Sequence, residues 1–181
     1  MTELAIEHEL AVFQAIGGLT AAILKLQRGD RSGIADFDTS DARLSATGTQ
    51  FWRPYYRVCA MRHLVKMGMS KEAHEFGRVA KTLIDKSNEN FTLHEYYIVQ
   101  AQLNLLDRNE EQAENNLLTA IKTSKDKGAR LFHLRAAIQL AELWRQQGKN
   151  ELIAPLLNEA KQGIEEGNCP DEMDRLNTLL Q

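Results

Sequence analysis

The chain has 181 residues, enough for one domain with a sizeable core, and its 43% apolar and 26% charged residues are those of a folded protein rather than a disordered tail. A net charge of −3 supplies no general attraction for nucleic acid or an anionic membrane, so neither is expected as a partner. Cys59 and Cys169 are too few for a disulfide framework or a zinc site, and the start MTELAIEHEL lacks the basic region of a secretory signal, which together point to a reducing, cytoplasmic setting.

Apolar residues recur at i, i+3, i+4 and i+7 along the chain, the mark of amphipathic helices. Eight helices and a short ninth are expected, at 3–28, 31–46, 50–67, 70–87, 91–106, 109–127, 129–147, 149–165 and 170–180. The first contains LAVFQAIGGLTAAILKL, residues 10–26, apolar around more of the helix than one buried stripe requires. Its Ile16, Leu19 and Ile23 are the candidate self-association residues, and a homodimer through this helix is one expected assembly. Pro54, near the start of the third helix, and Pro170, opening the ninth, sit where the missing N–H would have had no helical partner. Ser70, Asn90 and Asn109 stand where N-caps belong, and Gly48, Gly68, Gly128 and Gly148 where helices end. Pro155 falls five or six residues into the eighth helix and predicts a kink or a late start. The ninth, DEMDRLNTLL, sets acids opposite Met173, Leu176, Leu179 and Leu180, as the polar cap of a stack would.

The turns are periodic. Gly48, Asn88, Gly128 and Gly167 lie 40, 40 and 39 residues apart, and Gly29, Gly68, Arg108 and Gly148 run between them at 39, 40 and 40. Mostly small residues recur at the same step: Ala73, Ala113 and Ile153; Ala80, Ala120 and Ala160; Ala21, Met61, Ala101 and Ala141; Gly77, Leu117 and Leu157. Short side chains at fixed intervals mark helix crossings, where axes approach to about 8 to 10 Å. The expected fold is all-α, a right-handed superhelix of stacked antiparallel hairpins forming one domain over 1–181. Its repeats are 3–48, 49–88, 89–128 and 129–167, with a capping helix in 168–181.

Small residues before the turn (Ala60, Ala101, Ala141), glycine at it (Gly68, Gly148) and alanines after it (Ala73, Ala80, Ala113, Ala120, Ala160) resemble the tetratricopeptide pattern, stretched from its usual 34 residues to about 40. GARLFHLRAAIQLAELWRQQGKNELIAPLL, from Gly128 to Leu157, and the closing EEGNCPDEMDRLNTLL are similar to the last repeat of the tetratricopeptide region that ends large bacterial signalling ATPases, some of which carry cyclase or LuxR-type domains. DARLSATGTQFWRPYYRVCAMRHLVKMGMSKEA, from Asp41 to Ala73, is similar to an earlier repeat of that region. The resemblance implies a regulatory or sensory interaction module. This sequence has no Walker-type phosphate loop, cyclase metal-binding aspartates or helix-turn-helix, so those activities do not carry over.

Chemistry-bearing patterns are sparse. His8-Glu9, His74-Glu75 and His94-Glu95 each lack the second histidine four residues on that a zinc protease needs, and no glycine-rich nucleotide loop or G-x-S-x-G occurs. Cys59 with His63 on one helical face reads as packing rather than an activated thiol. No catalytic residue, cofactor or metal is expected. The concave groove of such a stack is lined by the first helix of each hairpin. Aligned on the turns, that groove comprises Tyr55, Val58, Arg62 and Lys66; Glu95, Ile98 and Gln102; and Arg135, Glu142 and Arg145, with Ile16, Leu19 and Ile23 at its N-terminal end. Apolar anchors mixed with both signs of charge suit a peptide or partner protein, with a small-molecule sensor as the alternative. Trp52, Tyr55, Tyr56, His94, Tyr96 and Tyr97 with Arg53, Arg57 and Arg62 could stack single-stranded nucleic acid, a reading the acidic balance disfavours.

Overall fold

A computed structural model describes residues 10–87, 90–162, 164 and 169–181. Among the described residues the secondary structure is helical, without strands. The α-helices are α1 (Ala11–Gln27), α2 (Gly33–Ala46), α3 (Arg53–Lys66), α4 (Ser70–Ser87), α5 (Leu93–Leu106), α6 (Glu110–Asp126), α7 (Arg130–Gln146), α8 (Ile153–Lys161) and α9 (Pro170–Leu180). Single 3-10 turns at Asn90–Thr92 and Asn150–Leu152 precede α5 and α8. The expected helix over 3–28 is therefore described from Ala11 onward, and Asn88 and Gly167 of the turn series lie outside the described residues.

The turns explain why these helices stop where they do. Gly29, Gly68, Arg108 and Gly148 have φ of 81°, 70°, 60° and 75°, so the series read from the sequence is a series of left-handed residues. At each of them the next residue's N–H reaches back across the turn. Asp30 donates to Lys25 O at 3.0 Å, Met69 to Leu64 O at 2.9 Å, Asn109 to Asn104 O at 2.8 Å and Lys149 to Trp144 O at 2.9 Å. This six-to-one bond closes a helix and launches the returning one. On the far side of the Arg108 turn, the Asn109 side chain accepts from Gln112 N at 3.2 Å and caps α6. Pro155 is the third residue of α8, which begins only after the 3-10 turn. The late start leaves the proline in the first turn, where its missing N–H has no partner to lose.

Contacts divide the chain after Thr92 into two compact units. In the first, α1 pairs with α2 and α3 with α4, and α1 packs on α3. Leu19, Leu26, Phe37, Leu44, Met61 and Leu64 fill its interior. The α1–α2 pair is close because it is built on glycine: a Cβ at Gly18 would stand 2.4 Å from Ser40 Oγ, and one at Gly33 would stand 2.7 Å from Ala22 O. In the second unit α5 pairs with α6 and α7 with α8, α6 also packs on α7, and α9 lies on α7 and α8. Its core runs through Leu103, Leu117, Leu134, Ile138, Leu140, Leu157 and Leu176. The periodic small residues Ala73, Ala80, Ala113, Ala120 and Ala160 are all buried, as are Met61, Ala101 and Ala141; Ala21 of the same series is exposed.

Candidate functional site

The surface of the first unit carries a cluster of aromatic rings at the entry to α3. Trp52, immediately before the helix, has φ of 70°, a left-handed backbone that costs an L-residue about 1–2 kcal/mol. Its indole meets Phe51, Phe91 and Tyr55 edge-on, with centroids 5.0, 5.5 and 5.6 Å apart counting the Phe51–Trp52 contact first. Phe51 and Phe91 are 6.1 Å apart, and Tyr55 continues to Tyr56 at 5.7 Å. Phe51, Trp52, Tyr55 and Phe91 are 52, 42, 39 and 42% exposed. These four rings, one of them on a strained backbone, form a contiguous apolar patch half in water.

Beneath the patch, three charges fix α3 to α2. Arg53 donates from Nε and Nη2 to the two Asp41 oxygens at 2.7 and 3.0 Å, and Arg57 Nη2 donates to Asp41 Oδ2 at 2.7 Å. The Arg57 guanidinium lies 5.3 Å from the Phe37 ring and 5.2 Å from the Phe76 ring, so it is stacked as well as paired. Burial opposes the Asp41 charge, but the hydrogen bonds from Arg53 and Arg57 outweigh it and hold the carboxyl below its ordinary range. Arg53 and Arg57 are therefore committed to the interior. His94 and Tyr96 are buried too, with the His94 ring 4.1 Å from Phe132. The set read as a nucleic-acid surface is thus divided between core and surface. Nothing local in the sequence links Asp41 to arginines 12 and 16 residues on, which is why the cluster escapes a reading by periodicity.

The residues assigned to the groove separate in the same way. Tyr55 and Lys66 are exposed, and Arg62 and Gln102 are half-buried. Val58, Ile98 and Glu95 are 0, 3 and 7% exposed, and Leu19 is 0% exposed. These four are corrected to interior positions: a side chain enclosed by its own protein cannot be an anchor for another. Ile16 and Ile23 are half-buried, and the large apolar side chains exposed along α1 and its cap residue are Leu10, Phe13 and Leu24. Arg135, Glu142 and Arg145 hold the cap. Arg135 Nε donates to Glu172 at 2.7 Å, Arg175 donates to Glu142 at 2.7 and 2.9 Å, and Arg145 donates to Leu179 O at 2.6 Å. These pairs tie α7 to α9.

Gln102 and Glu142 do share a cavity of about 280 Å³ in the second unit, with Leu105, Gln139, Gln146 and Arg175. Gln102 donates to Gln139 at 3.1 Å across it. Cys59 is partly buried, and burial pushes its thiol up despite a hydrogen bond with Tyr55, which opposes nucleophilic use. Among the described residues no group of three His, Cys, Asp or Glu side chains is placed to hold a metal, and no helix is long and apolar enough to cross a membrane. Comparison with known protein families, curated proteins and solved structures gave no match.

Proposed function

We propose that the protein is a non-catalytic interaction module of tetratricopeptide-like hairpins, stacked as a right-handed superhelix in the cytoplasm and serving a bacterial signalling system by binding a peptide or partner protein. The observation that carries this reading is the exposed ring cluster of Phe51, Trp52, Tyr55 and Phe91, which joins the predicted groove residue Tyr55 to a patch of rigid aromatic anchors. The buried and half-buried charges support it, because Asp41 with Arg53 and Arg57, and Glu114 with Lys149, are engaged in pairs that fix helices rather than directed at a reacting group.

Trp52 provides the test. A Trp144→Phe variant leaves it as the sole tryptophan, and a synthetic peptide array screened on that protein should yield binders that shift its emission. Phe51→Ser/Phe91→Ser should weaken those binders at least tenfold with helicity retained. Binders indifferent to that pair, or an array without binders, would overturn the assignment. The cavity around Gln102 and Glu142 favours a second reading as a small-molecule sensor. A ligand that raises the melting temperature of wild type but not of Gln102→Leu/Gln139→Leu would select it instead.

A further inference from the structure

Phe13, Gly17, Ala21 and Leu24 share one face of α1 at spacings of 4, 4 and 3, and Leu10, the cap residue just before the helix, stands three residues ahead of them. Leu10, Phe13 and Leu24 are 44, 48 and 46% exposed, and Ala21 is exposed between them. The equivalent positions elsewhere are covered. Forty residues on from Gly17, Ala21 and Leu24 stand Arg57, Met61 and Leu64 of α3, all buried, with Arg57 gripped by Asp41 of the preceding hairpin. Forty residues before Ala137, Ala141 and Trp144 of α7 comes the matching face of α5; the α7 residues are buried, and the Trp144 indole donates to Glu114 of the preceding α6 at 2.7 Å. This is the face on which a hairpin receives the hairpin before it. On α1 none of the described residues covers it.

We infer that a second copy of this chain covers it, through a two-fold interface in which α1–α2 packs on α1–α2. The spacing reads the same in both directions about Gly17. An antiparallel copy sets Leu10 opposite Leu24, Phe13 opposite Ala21 and Gly17 opposite itself, so large side chains meet small or apolar ones and the axes approach closest where neither helix has a side chain. Self-pairing also demands that a face not repel itself. Lys25 is the one charged residue of α1, and it is bound to Asp36 at 2.5 Å, off the stripe. The area then fixes the extent of the contact. From Leu10 to Leu24 the helix runs roughly 21 Å and presents a strip about 10 Å wide, far below the ~800 Å² per partner of a standard interface. A helix against a helix is insufficient, so the contact extends over the hairpin. The adjoining groove of about 580 Å³, lined by Ala11, Ala15, Arg43 and Ala46, is the part of α1–α2 beside the strip.

Light scattering coupled to size exclusion, over a hundredfold range of concentration, should give twice the chain mass for wild type. Phe13→Glu/Leu24→Glu should give the chain mass with unchanged far-ultraviolet circular dichroism, since both side chains are half in solvent. Ala21→Arg is a second variant with the same expectation if the first fails to fold. In a Cys59→Ser/Cys169→Ser background, Gly17→Cys should cross-link to itself on mild oxidation at least tenfold faster than the exposed control Lys122→Cys. A wild-type monomer throughout, or a dimer that survives both sets of changes, overturns the interface. Equal cross-linking at 17 and 122 overturns the two-fold register.

Discussion

Arg108 holds a left-handed backbone where Gly29, Gly68 and Gly148 hold the corresponding turns with glycine. The strain on an L-residue there is about 1–2 kcal/mol, and the extra freedom glycine gives the unfolded chain offsets part of the relief. Arg108→Gly should therefore stabilise the protein by about 1 kcal/mol, seen as a higher urea midpoint at unchanged slope. An unchanged or lower midpoint would show that the arginine side chain contributes more than the turn loses. His94 sets a second residue-scale property. Burial lowers its pKa, so as pH falls below the unfolded value of about 6.5 the unfolded chain takes a proton that the folded one resists. Stability should fall between pH 7.5 and 5, with His63 and His133, both lowered first by burial, acting in the same direction. His94→Phe keeps the contact with Phe132 and should flatten part of that slope in thermal melts; a slope identical to wild type would place the proton uptake elsewhere. Asp41 acts at the other end of the scale: its folded pKa is depressed, so its contribution is intact above about pH 4 and is lost as pH falls through the folded value.

At the scale of the helix, what the sequence reveals depends on how many sides of it are covered. In α4 the buried residues Ala73, Phe76, Gly77, Ala80 and Ile84 lie on one face, and the pattern gives its phase directly. In α5 the buried set of His94, Glu95, Tyr96, Ile98, Val99, Ala101, Leu103 and Asn104 runs around most of the circumference. A helix enclosed on several sides has no polar stripe to orient it, and this is how Glu95 and Ile98 came to be expected in a groove. Turns were legible for the opposite reason, because a left-handed residue restricts the sequence locally. Even the misfit of Pro155 was informative, since it announced the 3-10 turn before α8. The periodic alanines make the sharpest test of packing at this scale. Ala120 is 0% exposed, and Ala120→Phe should overpack its crossing and lower stability by roughly 1 to 3 kcal/mol in urea unfolding followed by Trp144. A midpoint equal to wild type would mean that no crossing lies there.

At the scale of the whole chain, each of the two units is stabilised internally by a different electrostatic arrangement. The first has the Asp41 cluster, with side-chain exposures of 4, 13 and 10% for Asp41, Arg53 and Arg57. The second is tied helix to helix by pairs nearer the surface. Lys125 binds Glu159, Arg175 binds Glu142 with side chains 52 and 39% exposed, and Lys149 binds Glu114 at 2.8 Å. The all-helical class and the order of the paired helices were accessible to periodicity, whereas both sets of pairs join residues brought together only by packing, and no spacing rule anticipates them. Mobile ions distinguish the two arrangements. At 1 M salt the screening length shrinks to about 3 Å, which weakens charges that water already reaches and leaves enclosed ones nearly untouched. Each exposed pair is worth no more than about 1 kcal/mol, so sodium chloride should lower the unfolding midpoint reported by Trp144 modestly, and that reported by Trp52 by less, because there the exposed pair between helices, Lys25–Asp36, is backed by the enclosed cluster. Equal responses from the two tryptophans would mean that the Asp41 cluster is open to solvent. The enclosed cluster thus makes the α2–α3 junction next to the aromatic patch indifferent to ionic strength, so that a partner docking on Trp52 would meet the same helix entry in dilute and in concentrated electrolyte.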